Sequence, residues 1–198
     1  MLILMHFILN CYFIFILITL PIILTLTGKM MKKNFLLVSV ALLLISCSKT
    51  SDQEYFDQGS KYLKENKINE ALKSFETLLT EYPDSKIAPK TLVQIAAMYQ
   101  NNLIKEVKPQ ESFNKAQEYF MQVYEKFPES EEAPNSLFMS GYILANNLMK
   151  FDDATMRFKL FLEKYPSHQL AFSAKQELDN MGLSPEEILK KTETAKSE

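Results

Sequence analysis

Cysteine is nearly absent from the 198 residues of this chain: it occurs only at Cys11 and Cys47. No disulfide framework and no cysteine-based metal site is therefore available to the remainder. Acidic residues are missing from the first 46 positions, where Lys29, Lys32 and Lys33 are the only lysines. All 24 acidic residues lie from Cys47 onward, which gives that part a net charge near −5. It also lacks any basic stripe that would track phosphates, which argues against a nucleic-acid partner. Catalytic patterns are missing too: there is no glycine-rich phosphate loop, no HExxH and no nucleophile elbow. The one histidine beyond the N-terminal segment, His168, falls in a polar junction and reads as an exposed turn residue. Glu129, Glu131 and Glu132 open a helical stretch, where the helix dipole favours negative charge without a metal. No strand alternation competes anywhere after Cys47. No enzyme, metal or cofactor is expected, and what remains to be read is helices and their surfaces.

The helical signal comes three times. The sets Ala71, Phe75, Leu78, Leu79, Tyr82; Ala116, Phe120, Val123, Tyr124, Phe127; and Ala154, Phe158, Phe161, Leu162, Tyr165 share the offsets i, i+4, i+7, i+8 and i+11. That spacing is one face of a 3.6-period helix. Pro83, Pro128 and Pro166 follow each set and cannot continue it. Upstream of each lies a second pattern at i, i+4, i+7 with a small residue in the middle: Tyr55, Gly59, Tyr62; Leu92, Ala96, Tyr99; and Leu137, Gly141, Leu144. A small residue facing Ala71, Ala116 or Ala154 lets two antiparallel helices cross closely. Three agreeing copies make the repeat secure where each alone is weak.

The spacing between copies is uneven. The prolines stand 45 and 38 residues apart. Ala88, Ala133 and Ala171 each fall five residues beyond their proline, and Ser85 and Ser130 fall two beyond, placed to cap the next helix. The second copy carries extra residues over Asn102–Gln110, with Pro109 suited to a helix's first turn. A longer helix is the expectation there, a binding loop the alternative. A fourth start at Ala171 and Phe172 reaches Leu178 and stops at Gly182, as a capping helix would. Ser184, Pro185 and Glu187 then fit an N-cap, N1 and N3, predicting a short helix to about Lys191 and a frayed tail.

The N-terminal segment has its own logic. Lys32 and Lys33 followed by an apolar run from Phe35 to Ile45 read as a signal peptide over 31–46. Leu2 to Leu26 is apolar and long enough to span a bilayer. Met30 and Met31 offer later starts, so residues 1–30 are read as an upstream extension translated from a misplaced start. The end of the signal, Leu44, Ile45, Ser46, Cys47, resembles the lipobox of bacterial lipoproteins. That resemblance implies cleavage before Cys47, a diacylglycerol on its thiol and an acylated amine. The polar linker over 47–53 then reaches no more than about 25 Å, with a folded domain over 54–182 and a short helix and tail over 183–198.

The paired patterns resemble the tetratricopeptide repeat, whose large, Gly/Ala, large, then Ala, aromatic, large, Pro order is met without gaps at Tyr55, Gly59, Tyr62, Ala71, Phe75, Leu78 and Pro83. The resemblance implies an all-α solenoid of three helical hairpins plus a C-terminal capping helix. The junctions are similar to those of two families of outer-membrane, periplasm-facing lipoproteins, the BamD (YfiO) type and the YbgF (CpoB) type. Partners by that resemblance are envelope proteins, either the β-barrel assembly machinery or Tol-Pal components, with the membrane met through the lipid anchor. The short linker favours the first. The family register puts Phe56, Ser60, Leu63 and Lys64; Lys90, Val93, Ala97, Gln100 and Asn101; and Asn135, Phe138, Tyr142 and Asn146 on a partner-binding groove. Phe56 and Phe138 either meet a ligand there or pack against neighbouring helices. A carrier of a small ligand or glycan, resting on Phe56, Phe138 and Tyr142, is the alternative from a different class.

Overall fold

The computed structural model describes residues 50–197. The expectations for residues 1–30, for the signal peptide and for Cys47 lie outside the described residues. The described residues form eight helices and no strand: α1 (Asp52–Lys64), α2 (Ile68–Glu81), α3 (Ala88–Gln100), α4 (Pro109–Lys126), α5 (Ala133–Asn146), α6 (Phe151–Lys164), α7 (Ala171–Asn180) and α8 (Pro185–Ser197). The pairs α1/α2, α3/α4 and α5/α6 are the three expected hairpins, and α7 packs on α6 as the cap.

Local chemistry sets the ends. Ser51 and Glu54 form a capping box: the Ser51 hydroxyl accepts from the Glu54 N–H at 3.2 Å, and the Glu54 carboxylate accepts from the Ser51 N–H at 2.8 Å. This satisfies two otherwise orphaned donors, so α1 starts at Asp52, inside the stretch expected to be linker. The residue before each junction proline is steered out of the helical region by the pyrrolidine ring. Tyr82, Phe127 and Tyr165 accordingly adopt nearly one conformation, with φ/ψ of −137/59, −134/56 and −130/53. A tight turn comes after each stop: Ala88, Ala133 and Ala171 donate to the carbonyls of Ser85, Ser130 and His168 at 3.0, 3.2 and 2.9 Å.

The hairpin turns repeat as well. Asn66, Asn102 and Met149 take the left-handed conformation, with φ of 57, 51 and 53. The next N–H reaches back over the helix end in each case, from Lys67 to Tyr62, Leu103 to Met98 and Lys150 to Leu144, at 2.8, 3.0 and 2.8 Å. In the first two turns this is the Schellman closure, while the third reaches back one residue further. Asparagine tolerates the left-handed residue far better than methionine does.

The extra residues of the second repeat divide. Pro109 opens α4 as expected, and at 18 residues this helix exceeds the 14 of α2 and α6. Asn102–Lys108 is a loop rather than helix, held because Ile104 is buried in the core. Ser112, in the added turn, donates to the buried Tyr99 carbonyl at 2.7 Å.

At the capping end Ala174 is the buried residue of α7, whereas Phe172 is 71% exposed. One expectation is corrected there. The Ser184–Glu187 capping box forms as expected, at 2.8 and 3.3 Å, but α8 runs to Ser197, well past Lys191.

The core follows the repeated pattern. Ala71, Phe75 and Leu78; Ala116, Phe120 and Val123; and Ala154, Phe158 and Phe161 are all buried. The i+8 and i+11 positions are half-buried. The small residues of the first helices, Gly59, Ala96 and Gly141, are buried at the crossings. A β-carbon on Gly59 would lie 2.5 Å from Cε1 of the fully buried Phe75, whereas one on Gly141 would lie 3.1 Å from Arg157 Cβ and Phe158 Cε1. Alanine in a helix interior regains about 1 kcal/mol over glycine. At position 141 this offsets a shift of a few tenths of an ångström. At position 59 a core ring must move, and overpacking costs about 1–3 kcal/mol. Gly59→Ala should therefore lower stability by about 1–2 kcal/mol while Gly141→Ala stays within about 0.5 kcal/mol of the parent, read by chemical denaturation followed by circular dichroism. The opposite order would contradict the closer crossing in the first hairpin.

Candidate functional site

The candidate groove residues sit on α1, α3 and α5, the first helices of the hairpins, but they do not form one lining. Phe56 is only 9% exposed, with its ring 5.8 Å from Phe75 and the Lys90 ammonium 5.2 Å above its face. Phe138 is 8% exposed, 5.5 Å from Phe158 and 5.8 Å from Phe161. Both rings are core, and this corrects their placement as partner contacts: each closes the hairpin interior beside its buried aromatic. Tyr142, at 38% exposure, stacks on Phe138 at 6.4 Å and is the aromatic among these candidates that faces outward.

The remaining candidates divide similarly. Lys64, Lys90, Asn101, Asn135 and Asn146 are exposed, while Ser60, Leu63, Val93, Ala97 and Gln100 are half-buried. Asn101 donates back to the Ala97 carbonyl at 2.8 Å, so its amide is engaged by its own helix. Asn146 donates to the Tyr142 carbonyl at 3.1 Å and also reaches Glu177 of α7 at 3.4 Å. It thereby ties the third hairpin to the cap.

That tie marks a feature the sequence pattern did not reveal. The end of α5, the turn into α6, one face of α7 and the start of α8 enclose a cleft of 690 Å³. Met149 and Phe151 stand on one side, Glu177 and Asn180 on another, and Leu183 and Glu187 close it. A signal was present: Met149-Lys150-Phe151 occupies the place of Asn66-Lys67-Ile68 in the first hairpin. The third hairpin thus puts methionine where the first has asparagine and a larger apolar residue where the first has isoleucine, and both are exposed.

Elsewhere the polar groups are structural. His168 is half-buried rather than exposed, with its ring edge-on to Phe161 at 5.7 Å. Its Nδ1 accepts from the Leu170 N–H at 3.2 Å, the role Ser85 Oγ plays toward the Ile87 N–H at 3.0 Å. These bonds brace the turn, not the helix: the N-caps of α3 and α5 are Ile87 and Glu132, without a side-chain bond. The capping expected of Ser130 is not made, and its buried hydroxyl has no partner among the described residues. Nor do the described residues hold a cluster of His, Cys, Asp or Glu suited to a metal.

In the second hairpin Tyr99 and Tyr119 stack at 5.7 Å, with Lys115 placed 5.4 Å over Tyr99. Burial above all, then the charges of Tyr99 and Glu76, pushes the Tyr119 hydroxyl up to about 12. A raised tyrosine pKa favours the fold while the hydroxyl is neutral, and that contribution fades as pH rises from about 10 through about 12. Tyr119→Phe should therefore flatten the alkaline fall in the urea midpoint. An unchanged alkaline slope would place that sensitivity in other groups.

Phe138 and Tyr142 generate a second contrast. Phe138→Ala should destabilise the chain by about 3–5 kcal/mol, as deletion of a buried ring does, and Tyr142→Ala by less than about 1 kcal/mol. Thermal and urea unfolding of the two single variants checks the order, and equal losses would mean Tyr142 is packed as tightly as Phe138.

A family model described as tetratricopeptide repeat matches residues 55–85, which run from α1 into the first junction. Among solved structures, MamA from AMB-1 is similar, at 21% identity and a TM-score of 0.45, over 70% of this chain and 78% of that one. No curated protein matches the chain. With that repeat match and the recurring helix stops and turns, the described residues form an all-α tetratricopeptide-type solenoid of three hairpins and a capping helix.

Proposed function

We propose that this chain is a lipid-anchored scaffold of the bacterial cell envelope, acting by protein–protein contact in the assembly of outer-membrane β-barrel proteins. The coarse part of that reading comes from the fold: a tetratricopeptide solenoid works by presenting helical surface to other proteins. The finer part is supported by the lipobox-like Leu44-Ile45-Ser46-Cys47 and by the short distance from Cys47 to the first helix.

The observation that carries the anchored reading is how early the chain becomes fixed. The Tyr82 hydroxyl donates to the Thr50 carbonyl at 2.6 Å, and the Ser85 hydroxyl donates to Asp52 at 2.6 Å. The Ser85 bond, aided by the Gln53 N–H, holds the Asp52 carboxyl below its usual range. Thr50 is three residues beyond Cys47, a span of about 10 Å at full extension. A lipid on Cys47 would keep the first hairpin and its junction against the membrane surface. Each buried CH₂ of such a lipid contributes about 0.8 kcal/mol, so several acyl chains hold durably where one does not.

The glycan-carrier alternative loses two of its three aromatic residues, since Phe56 and Phe138 are core and Tyr142 alone faces outward. A role beside Tol-Pal components is retained as the second reading, because the junction pattern suits both lipoprotein types. Cys47→Ala should abolish acylation and cleavage before residue 47, read by mass spectrometry of the N-terminus of protein purified from membranes. Cross-linked recovery of β-barrel assembly proteins with the parent chain supports the first reading. Recovery of Tol or Pal components in their place moves the chain to the second, and an unlipidated N-terminus in the parent removes the anchor.

A further inference from the structure

Exposed apolar surface is distributed very unevenly over this molecule. Among the described residues the exposed large apolar side chains are Tyr142, Met149, Phe151, Met156, Phe172, Leu183 and Leu189, all in the third hairpin or beyond. The first two hairpins expose none. Three of these side chains, Met149, Phe151 and Leu183, line the one 690 Å³ cleft between α5, α7 and the start of α8. Concentrated apolar exposure of this kind marks an interaction surface rather than chance.

The backbone points to the same place. Met149 is 64% exposed and held at φ 53, the left-handed seat that asparagine fills in the other two turns. That conformation is unfavourable for an unbranched L side chain, and nothing in the fold of the turn requires methionine. Strain kept at an exposed position in a cleft is characteristic of a binding surface. Methionine's flexible thioether also suits it to adapt to an incoming side chain.

The charges say what the occupant carries. Glu177 and Glu187 line the cleft, and no Lys or Arg does. Neighbouring Lys150 is drawn away to Asn114 of α4 at 2.9 Å, and Lys191, at the cleft edge, donates to the Asp179 carbonyl at 2.7 Å and reaches Asn180 Oδ1 at 3.4 Å. The Ser184 cap, through its backbone N–H first, holds Glu187 below the usual carboxylate range, so it stays ionised at neutral pH. A cleft lined by carboxylates and exposed apolar side chains repels anionic lipid and suits a cationic peptide.

We propose that this cleft seats a basic amphipathic segment of a partner protein. An aliphatic or aromatic side chain of that segment enters between Met149, Phe151 and Leu183, and a Lys or Arg beside it meets Glu177 and Glu187. The proposal rests on the scaffold reading above and names the chemistry of the partner.

A dye-labelled synthetic amphipathic peptide of Leu and Lys is the probe, titrated with the full chain in non-ionic detergent and read by anisotropy above the detergent baseline. The matching Leu/Glu peptide is the control. Saturable binding of the Lys peptide alone is expected, with Kd raised about ten-fold, or about 1.4 kcal/mol, in Glu177→Lys and in Leu183→Glu. Glu70→Lys, the same charge change on exposed α2, should leave Kd within about two-fold. Met149→Asn gives the sharper reading. It should raise Tm by a few degrees because it relieves the turn, yet weaken peptide binding, which a merely structural Met149 would not do. Equal binding of the Glu peptide, or unchanged Kd in the cleft variants, overturns the proposal. So does a dimer, seen by sedimentation, that the cleft variants dissolve, since a second copy would then be the occupant. Loss of envelope-protein recovery by the parent chain would instead remove the scaffold reading, and the peptide titration does not depend on that result.

Discussion

Everything in this fold hangs on how closely two helices of a hairpin can cross. Each second helix drives one aromatic ring, Phe75, Phe120 or Phe158, toward its first helix, where Gly59, Ala96 or Gly141 stands at the equivalent place. Without the small residue the ring has no seat, and without the ring the small residue leaves a void. In the first hairpin the fit is closest, since Phe75 fills the very space a Gly59 β-carbon would take. The helix loses no packing contact to its glycine because the ring supplies the missing surface. Phe56 and Phe138 are drawn into the same interior, which is why they are core and not groove.

From that crossing the array is built by nearest-neighbour contact. The helices pack chiefly on those adjacent in sequence, as in any quasi-one-dimensional repeat protein. Successive hairpins therefore need identical joints, and the chain makes them with the same chemistry each time. Tyr82, Phe127 and Tyr165 stop their helices in one conformation, and a tight turn to Ala88, Ala133 or Ala171 launches the next. Aromatic contacts such as Tyr124 on Tyr165, edge-on at 6.4 Å, then bridge one repeat to the next.

What was legible in the sequence is what depends on period. Helix faces, proline stops and the small residue at each crossing are set by spacing along one chain, so the three hairpins and their buried triplets could be read directly. The Ser184–Glu187 cap was legible for the same reason, being a contact between residues three apart. Burial that depends on a neighbouring element was not. Phe138 sits one position from the packing residue Leu137, and only the locations of Phe158 and Phe161 decide that its ring turns inward. Ser130 matches Ser85 in sequence, yet only Ser85 has an Asp52 within reach. The cleft was hidden because it needs four separate segments to meet. Its trace was a comparison between repeats, Met149 and Phe151 against Asn66 and Ile68, which a search for shared residues passes over.

That comparison also explains why the two ends of the array differ. Repetition works against function, since a surface present in every repeat distinguishes none of them. The first hairpin departs from the common pattern by extra polar bonds, Tyr82 to Thr50 and Ser85 to Asp52, which fix where the chain enters. The third departs by leaving apolar side chains uncovered and a methionine in a left-handed seat, which lowers local stability. In a solenoid such a cost stays local, because each unit answers mainly to its neighbours. The hairpin between them, with Tyr99 stacked on Tyr119 and Ile104 folded into the core, keeps the core continuous from the fixed end to the open one. The end that can bear strain is thus the end where a partner's binding energy is best able to offset it.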